Sequence, residues 1–543
     1  MRYIIVGGVA AGATFATRLR RLDERAEIVI YEKTGYISYA TCGLPYYIGG
    51  AIKDRGALTI ETPEHMKARY NVLAFVNHEV VRIDKDSKTV EVKDLRDGTI
   101  KIDHYDRLIL CPGAASIKVA PEEGRVFGLR SIEDADRMLS FIESKRPRSA
   151  IVVGGGFIGL ETLENLAIRG IEVTLVEGSN HILPNLDEDM ARIPEGMLRQ
   201  GGIKVLTGVR VNEISQDAAS VVAHTDLGDL QADMLVQSIG VRPASGLAKD
   251  ASMGIEAKGS IKVDWLQEVE KDVYALGDAT SRPDFFSDNR AYVALAGLAN
   301  KDARSLATHL ALGEEQGVMK PLGTSILKLF NLAIGSVGLT EAKAKALGKE
   351  YGKAYLSAAN HATYYPGAGE LLIKALFDKH TGEILGAQIV GGEGVDKRID
   401  VLSLSIRHHL TYLDLKNEEL SYSPPFGAVR DPINALGCLI EDLFKGLSTQ
   451  VYPEDVEALL KTNVQVIDVR TSMEFGAGHI EGAANIPVDE LRARMGEIDK
   501  SRPVLLICHS GLRSYVAMRV LKQSGYDCSH LAGGWRFYKA FGH

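Results

Sequence analysis

Short apolar runs followed by glycine-rich turns recur along this chain of 543 residues. One such run, Arg2–Val6, precedes the turn that ends at Gly12, and another, Ala150–Val153, precedes the turn that ends at Gly159. A helical pattern of apolar positions follows each turn, and a further apolar strand follows each helix. A strand, a glycine turn, a helix and a second strand form a βαβ unit with parallel strands. The pattern therefore predicts two α/β domains of the same construction.

A third α/β unit is predicted at the C-terminal end of the sequence. The pattern breaks at Lys445–Pro453, and about ninety residues follow, which is the size of one small domain. These residues carry the strand patterns VQVIDV and PVLLIC, which alternate with helical patterns. A shorter break, Lys145–Ser149, precedes the second glycine turn and is typical of a linker.

Composition is that of an ordinary globular protein. Hydrophobic residues make up 45% and charged residues 25%, and 63 basic against 71 acidic side chains give a net charge of −8. This acidic balance argues against nucleic acid and membrane surfaces as partners. The sequence has no apolar run long enough to span a membrane, and the apolar run within MRYIIVGG is too short for a signal peptide. We therefore expect a cytoplasmic protein.

The first glycine turn has the composition of a dinucleotide-binding site. Glycines allow a tight turn and let backbone N–H groups approach a pyrophosphate at the helix N-terminus. Glu32 ends the following strand, where a carboxylate can accept a ribose hydroxyl. Val9 replaces the middle glycine of the usual fingerprint. The predicted contacts in this turn are Gly7, Gly8, Val9, Ala10, Ala11 and Gly12.

The second glycine turn matches the dinucleotide fingerprint more closely. Its strand leads into Gly154–Gly159, and Glu177 ends the next strand. A carboxylate at that position repels a 2′-phosphate, which favours NADH over NADPH. The predicted contacts are Gly154, Gly156, Phe157, Ile158, Gly159, Glu161 and Glu177.

Cys42 is a candidate redox residue. The five cysteines are widely spaced and odd in number, so neither a disulfide framework nor a metal site is expected. Gly43 and Pro45 give Cys42 a special local backbone, and no second cysteine lies near it in the sequence. Because Cys42 cannot close a short local disulfide, its partner sulfur comes from a substrate, or it cycles through a sulfenic acid. Cys111, Cys438 and Cys528 are interpreted as structural.

Cys508 is a second candidate catalytic cysteine. It lies between the strand Pro503–Ile507 and a helical pattern, where converging N–H groups stabilise a thiolate or persulfide anion. Arg513 adds a positive charge to this loop. The spacing Cys-x4-Arg makes a shorter loop than the Cys-x5-Arg that encircles a phosphate, so sulfane sulfur is the favoured cargo.

Three further segments resemble motifs of two-dinucleotide-binding flavoproteins. VYALGDA contains Gly277 and Asp278, LILCPG contains Gly113, and GVRP contains Gly240. The resemblance implies that the first turn, with Glu32 and Lys33, binds FAD and that the second, with Gly240, binds NADH. It also implies that Asp278 holds the ribitol chain and that the NAD domain interrupts the FAD domain.

The segments SYATCGLPYY, HATYYPG and YSPPF resemble the coenzyme A-disulfide reductase group, over roughly residues 1–445. The resemblance implies that Tyr364 and Tyr422, with Tyr365 as the alternative to Tyr364, reach the other subunit's active site in a homodimer. Phe426 stands where a further tyrosine is expected. The resemblance also implies a tightly bound coenzyme A. Arg18 and Arg21 are spaced to share one helix face, where guanidinium groups suit phosphate. The predicted contacts of coenzyme A are Thr14, Arg18, Arg21, Ser38, Thr41, Asn300 and Arg430.

The C-terminal unit, with LAGGW near its end, resembles a rhodanese domain. The expected fold is thus α/β: two Rossmann-like dinucleotide-binding domains, for FAD (1–115 and 265–320) and NAD (148–264), an α+β dimerisation domain (321–445) and a rhodanese-like domain (450–543). The whole resembles coenzyme A-disulfide reductase–rhodanese fusions, which are NADH-dependent persulfide or polysulfide reductases. This implies reduction of CoA persulfide, polysulfide or CoA disulfide through Cys42, with Cys508 delivering sulfane sulfur. The alternatives are an NADH oxidase or peroxidase and a sulfurtransferase or sulfide sensor without reductase activity.

Overall fold

The computed structural model describes residues 1–315 and 317–540. Two compact units are present, Met1–Ser179 with Ile203–Pro321, and Asn180–Gly202 with Leu322–His543. Both contain strands and helices in alternation, which confirms the predicted α/β class. Within the described ranges, no helix is long and apolar enough to cross a membrane.

The first unit contains a six-stranded sheet that includes the first βαβ unit. The strands, in spatial order, are Glu268–Glu270, Val273–Ala275, Arg107–Leu110, Arg2–Val6, Glu27–Tyr31 and Leu73–Phe75. All neighbouring pairs are parallel except the first. Helices Ala10–Leu22 and Ala296–Leu312 pack against each other and share an apolar core with this sheet. An antiparallel sheet accompanies it, with strands His78–Asp84, Thr89–Asp94 and Ile100–His104.

The second βαβ unit builds a five-stranded parallel sheet in the same unit. Its strands, in spatial order, are Lys204–Thr207, Glu172–Glu177, Ser149–Val153, Met234–Gln237 and Val126–Phe127. An antiparallel sheet, Val211–Gln216, Val221–Thr225 and Gly228–Ala232, covers one face through shared apolar contacts. Two strand pairs complete the sheets of this unit, Ala114–Ser116 with Val241–Pro243 and Arg282–Pro283 with Arg290–Ala291.

The remaining helices of the first unit are short, apart from Ile132–Lys145 and Phe157–Ile168. The α-helices are Leu44–Gly49, Pro63–Tyr70 and Gly246–Asp250, and the 3₁₀ turns are Thr41–Gly43, Arg55–Leu58 and Gly277–Ala279. Two of these turns position predicted site residues, since Thr41–Gly43 contains Cys42 and Gly277–Ala279 contains Asp278.

An antiparallel sheet forms the centre of the second unit. Its strands, in spatial order, are Ser325–Leu329, Leu332–Gly338, Ile384–Gly391, Glu370–Asp378 and Tyr351–Ala359. The accompanying helices are Glu188–Gln200, Glu341–Ala346, Val395–Arg407, Tyr412–Asn417 and Pro432–Phe444.

Residues 180–202 belong to this second unit although they lie within the range 148–264 expected for the NAD domain. Lys374, 1% exposed on a central strand, donates to Asp189 at 2.7 and 2.9 Å. Gln388 donates to Asp187 at 2.7 Å. These buried polar contacts hold the helix Glu188–Gln200 against the sheet. The predicted domain limits themselves stay predictions.

The C-terminal part of the second unit has a parallel five-stranded sheet. Its strands, in spatial order, are Gln450–Val451, Cys528–Leu531, Val504–Ile507, Gln465–Asp468 and Ala484–Asn485. Its helices are Val456–Leu460, Ser472–Gly476, Leu491–Arg494, Leu512–Gln523 and Gly534–Ala540, with 3₁₀ turns at Pro453–Asp455 and Met495–Glu497. Apolar side chains fill the space on both faces of the sheet.

Candidate active sites

A cavity of about 660 Å³ opens at the first glycine turn of the first unit. Its volume is ordinary for a cofactor site. The segment Cys111–Ser116 forms part of its wall. The predicted FAD contacts that line it are Gly7, Val9, Ala10, Ala11, Glu32, Lys33, Gly113, Gly277 and Asp278. The structure thus brings together residues from four separate segments that the sequence analysis assigned to one nucleotide.

The glycines of this turn have distinct structural roles. Gly7 has a φ of +98°, and a Cβ there would lie 2.2 Å from the Cys111 carbonyl oxygen. A Cβ on Gly12 would lie 1.9 Å from the Gly7 oxygen, so Gly12 allows the helix to approach the strand closely. The Gly8 N–H donates to Glu32 Oε2 at 2.8 Å, while Thr34 donates to Oε1. Glu32 is therefore fixed at the cavity edge by the turn itself.

Asp278 provides the clearest sign that this cavity is a ligand site. Its Oδ1 is buried and has no hydrogen-bond partner among the residues that the structure describes. Burial raises the pKa of this carboxyl, against the opposing charges of Arg130 and Arg282. A buried acceptor without a donor is costly, and the hydroxyls of a ribitol chain would supply donors. The residues present therefore fit a flavin dinucleotide.

The second glycine turn repeats the construction of the first. Gly154 has a φ of +105°. A Cβ built on Gly159 would lie 1.9 Å from the Gly154 oxygen, so only glycine fits there. The Gly155 N–H donates to Glu177 Oε2 at 2.6 Å, as Gly8 does to Glu32. No described atom lies within 4 Å of a Cβ built on Gly156, so this glycine faces open space.

The other predicted NAD contacts lie around this turn. Phe157 and Ile158 begin the helix that follows it, and Gly240, with a φ of +107°, follows the neighbouring strand Met234–Gln237. Glu161 lies one helical turn further on. The arrangement presents helix N–H groups and a fixed carboxylate, as a dinucleotide site requires.

Cys42 is exposed in the 3₁₀ turn Thr41–Gly43. Ser38 precedes it with a φ of 45°, a left-handed conformation that turns the chain. Thr41 lines the cavity, so the thiol is next to the flavin site in the chain. All five cysteines are free. Cys111 is half-buried, and its burial raises the pKa of its thiol. Burial likewise raises the pKa of Cys528 to about 11, as expected for a structural thiol.

Tyr46 lies within the segment SYATCGLPYY, but its contact with Glu161 was not predicted. Its hydroxyl donates to Glu161 Oε1 at 3.3 Å. Burial, and secondarily Glu164, raises the pKa of Glu161 to about 7 even though the Tyr46 hydrogen bond opposes the rise. The only signal in the sequence was spacing, since Tyr46 follows Cys42 by one helical turn.

The predicted coenzyme A contacts occupy two helices and two loops. Thr14, Arg18 and Arg21 lie along Ala10–Leu22. Arg18 donates to Thr308, at 3.3 and 3.4 Å, on the neighbouring helix that also carries Asn300. The remaining predicted contacts are Ser38 and Thr41 beside Cys42, and Arg430 in the second unit. Arg20, between the two predicted arginines, is buried and donates to backbone carbonyls instead.

Tyr364 and Tyr422 form a pair in the second unit. Their hydroxyl oxygens are 2.9 Å apart, and the two side chains are 75% and 45% exposed. The hydrogen bond between the two hydroxyls raises the pKa of Tyr422. Tyr365 packs edge-on against the buried ring of His361. The structure therefore joins two segments that the sequence analysis had connected only through resemblance, and it favours Tyr364 over Tyr365 as the partner of Tyr422.

Cys508 follows the strand Val504–Ile507 and is fully buried. Its Sγ accepts the Gly511 N–H at 3.0 Å and the Ser514 hydroxyl at 3.3 Å. Gly511, with a φ of +105°, precedes the helix Leu512–Gln523 and aims its N–H at the sulfur. This loop can stabilise a sulfur anion, and Ser514 is a donor that the sequence analysis missed.

Arg513 contacts a different partner from the one expected in this loop. Its guanidinium donates to both oxygens of Glu474, at 2.7 and 2.8 Å, rather than to the sulfur. This ion pair lowers the pKa of Glu474 to about 2. The charge of Arg513 still acts on Cys508 electrostatically, so its expected contribution is indirect. Glu474 caps its own short helix, and its pairing with Arg513 depends on the tertiary fold.

No three His, Cys, Asp or Glu side chains are grouped as metal ligands in the part of the chain that the structure describes. Two dinucleotide turns, a cavity in which one aspartate oxygen lacks a partner among the described residues, and an exposed free cysteine are together typical of a flavin- and pyridine-nucleotide-dependent oxidoreductase. Comparison with known proteins agrees. Residues 1–296 match the model described as pyridine nucleotide-disulphide oxidoreductase, 324–431 match the dimerisation domain of that family, and 452–540 match a rhodanese-like domain. The chain belongs to the pyridine nucleotide-disulphide oxidoreductase family, which implies FAD and NAD(P)H as cofactors.

Three similar proteins extend this assignment. Coenzyme A disulfide reductase of Staphylococcus haemolyticus (strain JCSC1435) is 35% identical over 448 residues, which are 81% of this chain and 100% of that protein. The crystal structure of reduced Bacillus anthracis CoADR-RHD has 39% identity and a TM-score of 0.95, and covers 99% of this chain and 98% of its own. The structure of a NAD-dependent persulfide reductase from A. fulgidus has 31% identity and a TM-score of 0.93, with coverage of 99% and 100%.

Proposed function

We propose that this chain uses NADH to reduce CoA disulfide, CoA persulfide or polysulfide at Cys42, and that Cys508 carries sulfane sulfur. The observation that carries the proposal is the exposed, free Cys42 beside a cavity built for a flavin dinucleotide. The full-length similarity to a persulfide reductase and to a CoADR-RHD protein supports it. An oxidase or peroxidase has less support, because both of these structures match 99% of this chain, which includes the rhodanese-like domain.

The proposed chemistry begins with a disulfide between Cys42 and a substrate sulfur. The glycine turn, Glu32 and Asp278 would hold FAD, and the chemistry that FAD would supply there is the transfer of two electrons from the nicotinamide to this disulfide. Reduction of the disulfide regenerates the Cys42 thiolate, which can then attack the next substrate. The net reactions are NADH + H⁺ + CoA–S–S–CoA → NAD⁺ + 2 CoASH, and NADH + CoA–S–SH → NAD⁺ + CoASH + HS⁻.

Residues of this chain account for binding and orientation. Glu32 and Gly8 hold the first nucleotide site, and Asp278 accepts from the flavin's sugar chain. Glu177 at the second site favours NADH, because its carboxylate repels a 2′-phosphate. Cys508 carries a persulfide that Gly511 and Ser514 stabilise by donating to its sulfur.

Further parts of the proposal concern assembly. The dimerisation domain and the exposed Tyr364–Tyr422 pair support a homodimer in which each pair acts in the other subunit's active site. A bound coenzyme A contacts the arginines of the helix Ala10–Leu22 and carries sulfur between the two cysteines. Free thiols suit a reducing compartment such as the cytoplasm.

The test is anaerobic NADH oxidation by the purified holoenzyme, with CoA disulfide, CoA persulfide and polysulfide as substrates and with oxygen and peroxide as controls. We expect turnover with the sulfur substrates and little with the controls. Cys508→Ser should slow polysulfide turnover but leave CoA disulfide turnover unchanged. Turnover with oxygen or peroxide alone would contradict the proposal, and unchanged polysulfide turnover in Cys508→Ser would remove the role of the rhodanese-like domain.

A further inference from the structure

The helix Gly534–Ala540 supports the backbone of the loop that begins at Cys508. The Trp535 N–H donates to the Cys508 carbonyl oxygen at 2.8 Å, and the Arg536 N–H donates to the His509 carbonyl oxygen at 3.2 Å. The glycine that begins the helix has a φ of +71°, and a Cβ on it would lie 2.7 Å from either oxygen. The start of the helix therefore packs tightly against the first peptide groups of the loop.

The same helix is anchored to the antiparallel sheet of the second unit. Phe537 is fully buried and lies edge-on to the ring of Tyr355, with the ring centroids 5.4 Å apart. Tyr355 is 2% exposed on the strand Tyr351–Ala359, and the ring centroid of Tyr452 lies 5.6 Å from its own. One aromatic ring of the sheet thus contacts two rings of the rhodanese-like domain, which matches residues 452–540.

Buried charges hold Tyr355 in place. Its hydroxyl donates to Asp189, which also accepts from Lys374 at 2.7 and 2.9 Å. Lys374 pairs with Tyr355 across two neighbouring strands, and its ammonium lies 5.4 Å from the centre of the Tyr355 ring. All three residues are buried. The ring therefore has one fixed orientation, in which it meets Phe537.

Two ion pairs fasten the edge of this contact. Arg536, whose N–H supports the loop, also pairs through its guanidinium with Glu370 on the sheet. Lys353 pairs with Glu454, and the Lys353 carbonyl oxygen accepts from the Tyr452 hydroxyl at 3.0 Å. The helix therefore connects the sheet directly to the loop.

We propose that Tyr355 is a positioning residue for Cys508 and acts through Phe537 and the helix that carries it. Without the Tyr355 ring, the helix can shift toward the sheet and take the Cys508 carbonyl oxygen with it. The Cys508 sulfur then no longer lies in line with the Gly511 N–H and the Ser514 hydroxyl, and a hydrogen bond weakens steeply as it departs from linearity. Sulfur transfer in the rhodanese-like domain thus depends on a sheet outside that domain. The inference rests on the proposed role of Cys508 as a sulfur carrier.

Tyr355→Leu and Phe377→Leu form a matched pair of variants. Phe377 is 5% exposed in the same sheet, but it pairs with Gly352, three positions from Tyr355. Because side chains alternate along a strand, Phe377 lies on the opposite face from Tyr355. Both substitutions remove a buried ring, so a general loss of stability affects them alike. Tyr355→Phe keeps the ring and removes only the hydroxyl.

The first assay is sulfur transfer from polysulfide to cyanide by the full chain in a Cys42→Ser background. A displacement of about 1 Å at a reacting group can slow a reaction by about a hundredfold, so Tyr355→Leu should be about ten- to a hundredfold slower. Tyr355→Phe and Phe377→Leu should retain most of the rate. Equal rates for Tyr355→Leu and Phe377→Leu would overturn the proposal. No transfer by the parent Cys42→Ser protein would instead overturn the proposed role of Cys508.

The second assay follows alkylation of Cys508 by iodoacetamide as the pH changes, with the modified peptide identified by mass spectrometry. It requires no sulfur transfer, so it tests the positioning of the thiol whatever its function. The midpoint of the pH profile should rise in Tyr355→Leu, because the two donors no longer stabilise the thiolate, and should not change in Phe377→Leu. Phe537→Leu removes the same ring contact from the other side, should reproduce this rise, and decides the question if Tyr355→Leu does not fold. An unchanged midpoint in either folded variant would overturn the positioning role.

Discussion

Removing the Ser514 hydroxyl should weaken the anion site around Cys508 without altering the fold. Ser514 Oγ donates to Cys508 Sγ at 3.3 Å, and both residues are fully buried, so water cannot replace this hydroxyl. The Gly511 N–H at 3.0 Å is the other donor to the sulfur. Ser514→Ala therefore removes one of two hydrogen bonds to a developing thiolate or persulfide.

The size of the effect follows from the value of such a bond. A hydrogen bond to a charged group contributes about 1.5–3 kcal/mol, and each 1.4 kcal/mol changes a rate about tenfold. We therefore expect Ser514→Ala to slow sulfur transfer by about ten- to a hundredfold. Glu474 and Arg513 stay paired in this variant, so the charge balance of the loop does not change.

The assay is sulfur transfer from polysulfide to cyanide in a Cys42→Ser background, so that only Cys508 can act. Ser524→Ala is the matched control, because its hydroxyl donates to Val520 in the last turn of the same helix, away from the sulfur. The control should retain full activity. A Ser514→Ala rate equal to that of the control would refute the assignment of Ser514 as a donor to the sulfur anion.

Three further variants test the cofactor sites and the second unit. Asp278→Asn should weaken FAD retention, measured as flavin lost on gel filtration, because the amide has no charge and one acceptor oxygen in place of two. Full retention would argue against a ribitol contact. Glu177→Ala should raise kcat/KM for NADPH relative to NADH in steady-state assays, and an unchanged ratio would contradict the assignment. Lys374→Met should lower the thermal unfolding midpoint, since breaking a buried ion pair costs about 3–5 kcal/mol, while the exposed Lys379→Met should not. Burial alone would raise the pKa of Glu341, but the charge of Lys374 outweighs burial and holds this pKa at about 2. The ion pair therefore stabilises the fold above the ordinary pKa of glutamate, and this stability is lost as the pH falls toward 2. The Lys374→Met variant should lose this dependence of stability on acid pH.

Much of the candidate site was visible in the sequence because it depends on local geometry. A turn that needs a positive φ at Gly7 and Gly154 leaves a glycine signature next to an apolar strand. Cys508 between a strand and a helix start is equally local. These features are encoded within a few residues, so pattern reasoning could locate them.

The features that were missed depend on side chains that meet across the fold. Tyr46 and Glu161 are 115 positions apart, and only the packing of two helices joins them. Glu474 meets Arg513 across 39 positions, which changes where that guanidinium points. Helix Glu188–Gln200 belongs to the second unit because of buried polar contacts that no periodicity indicates. Spacing along the chain does not indicate which distant residues form such contacts.

In the proposed function, Cys42 is the one thiol through which electrons reach the sulfur substrate. Cys42→Ser should still bind FAD, and NADH should still bleach the flavin, because neither nucleotide turn is altered. We predict that anaerobic NADH oxidation with CoA disulfide, CoA persulfide and polysulfide then falls to background. Continued turnover of any of these substrates by Cys42→Ser would contradict the account.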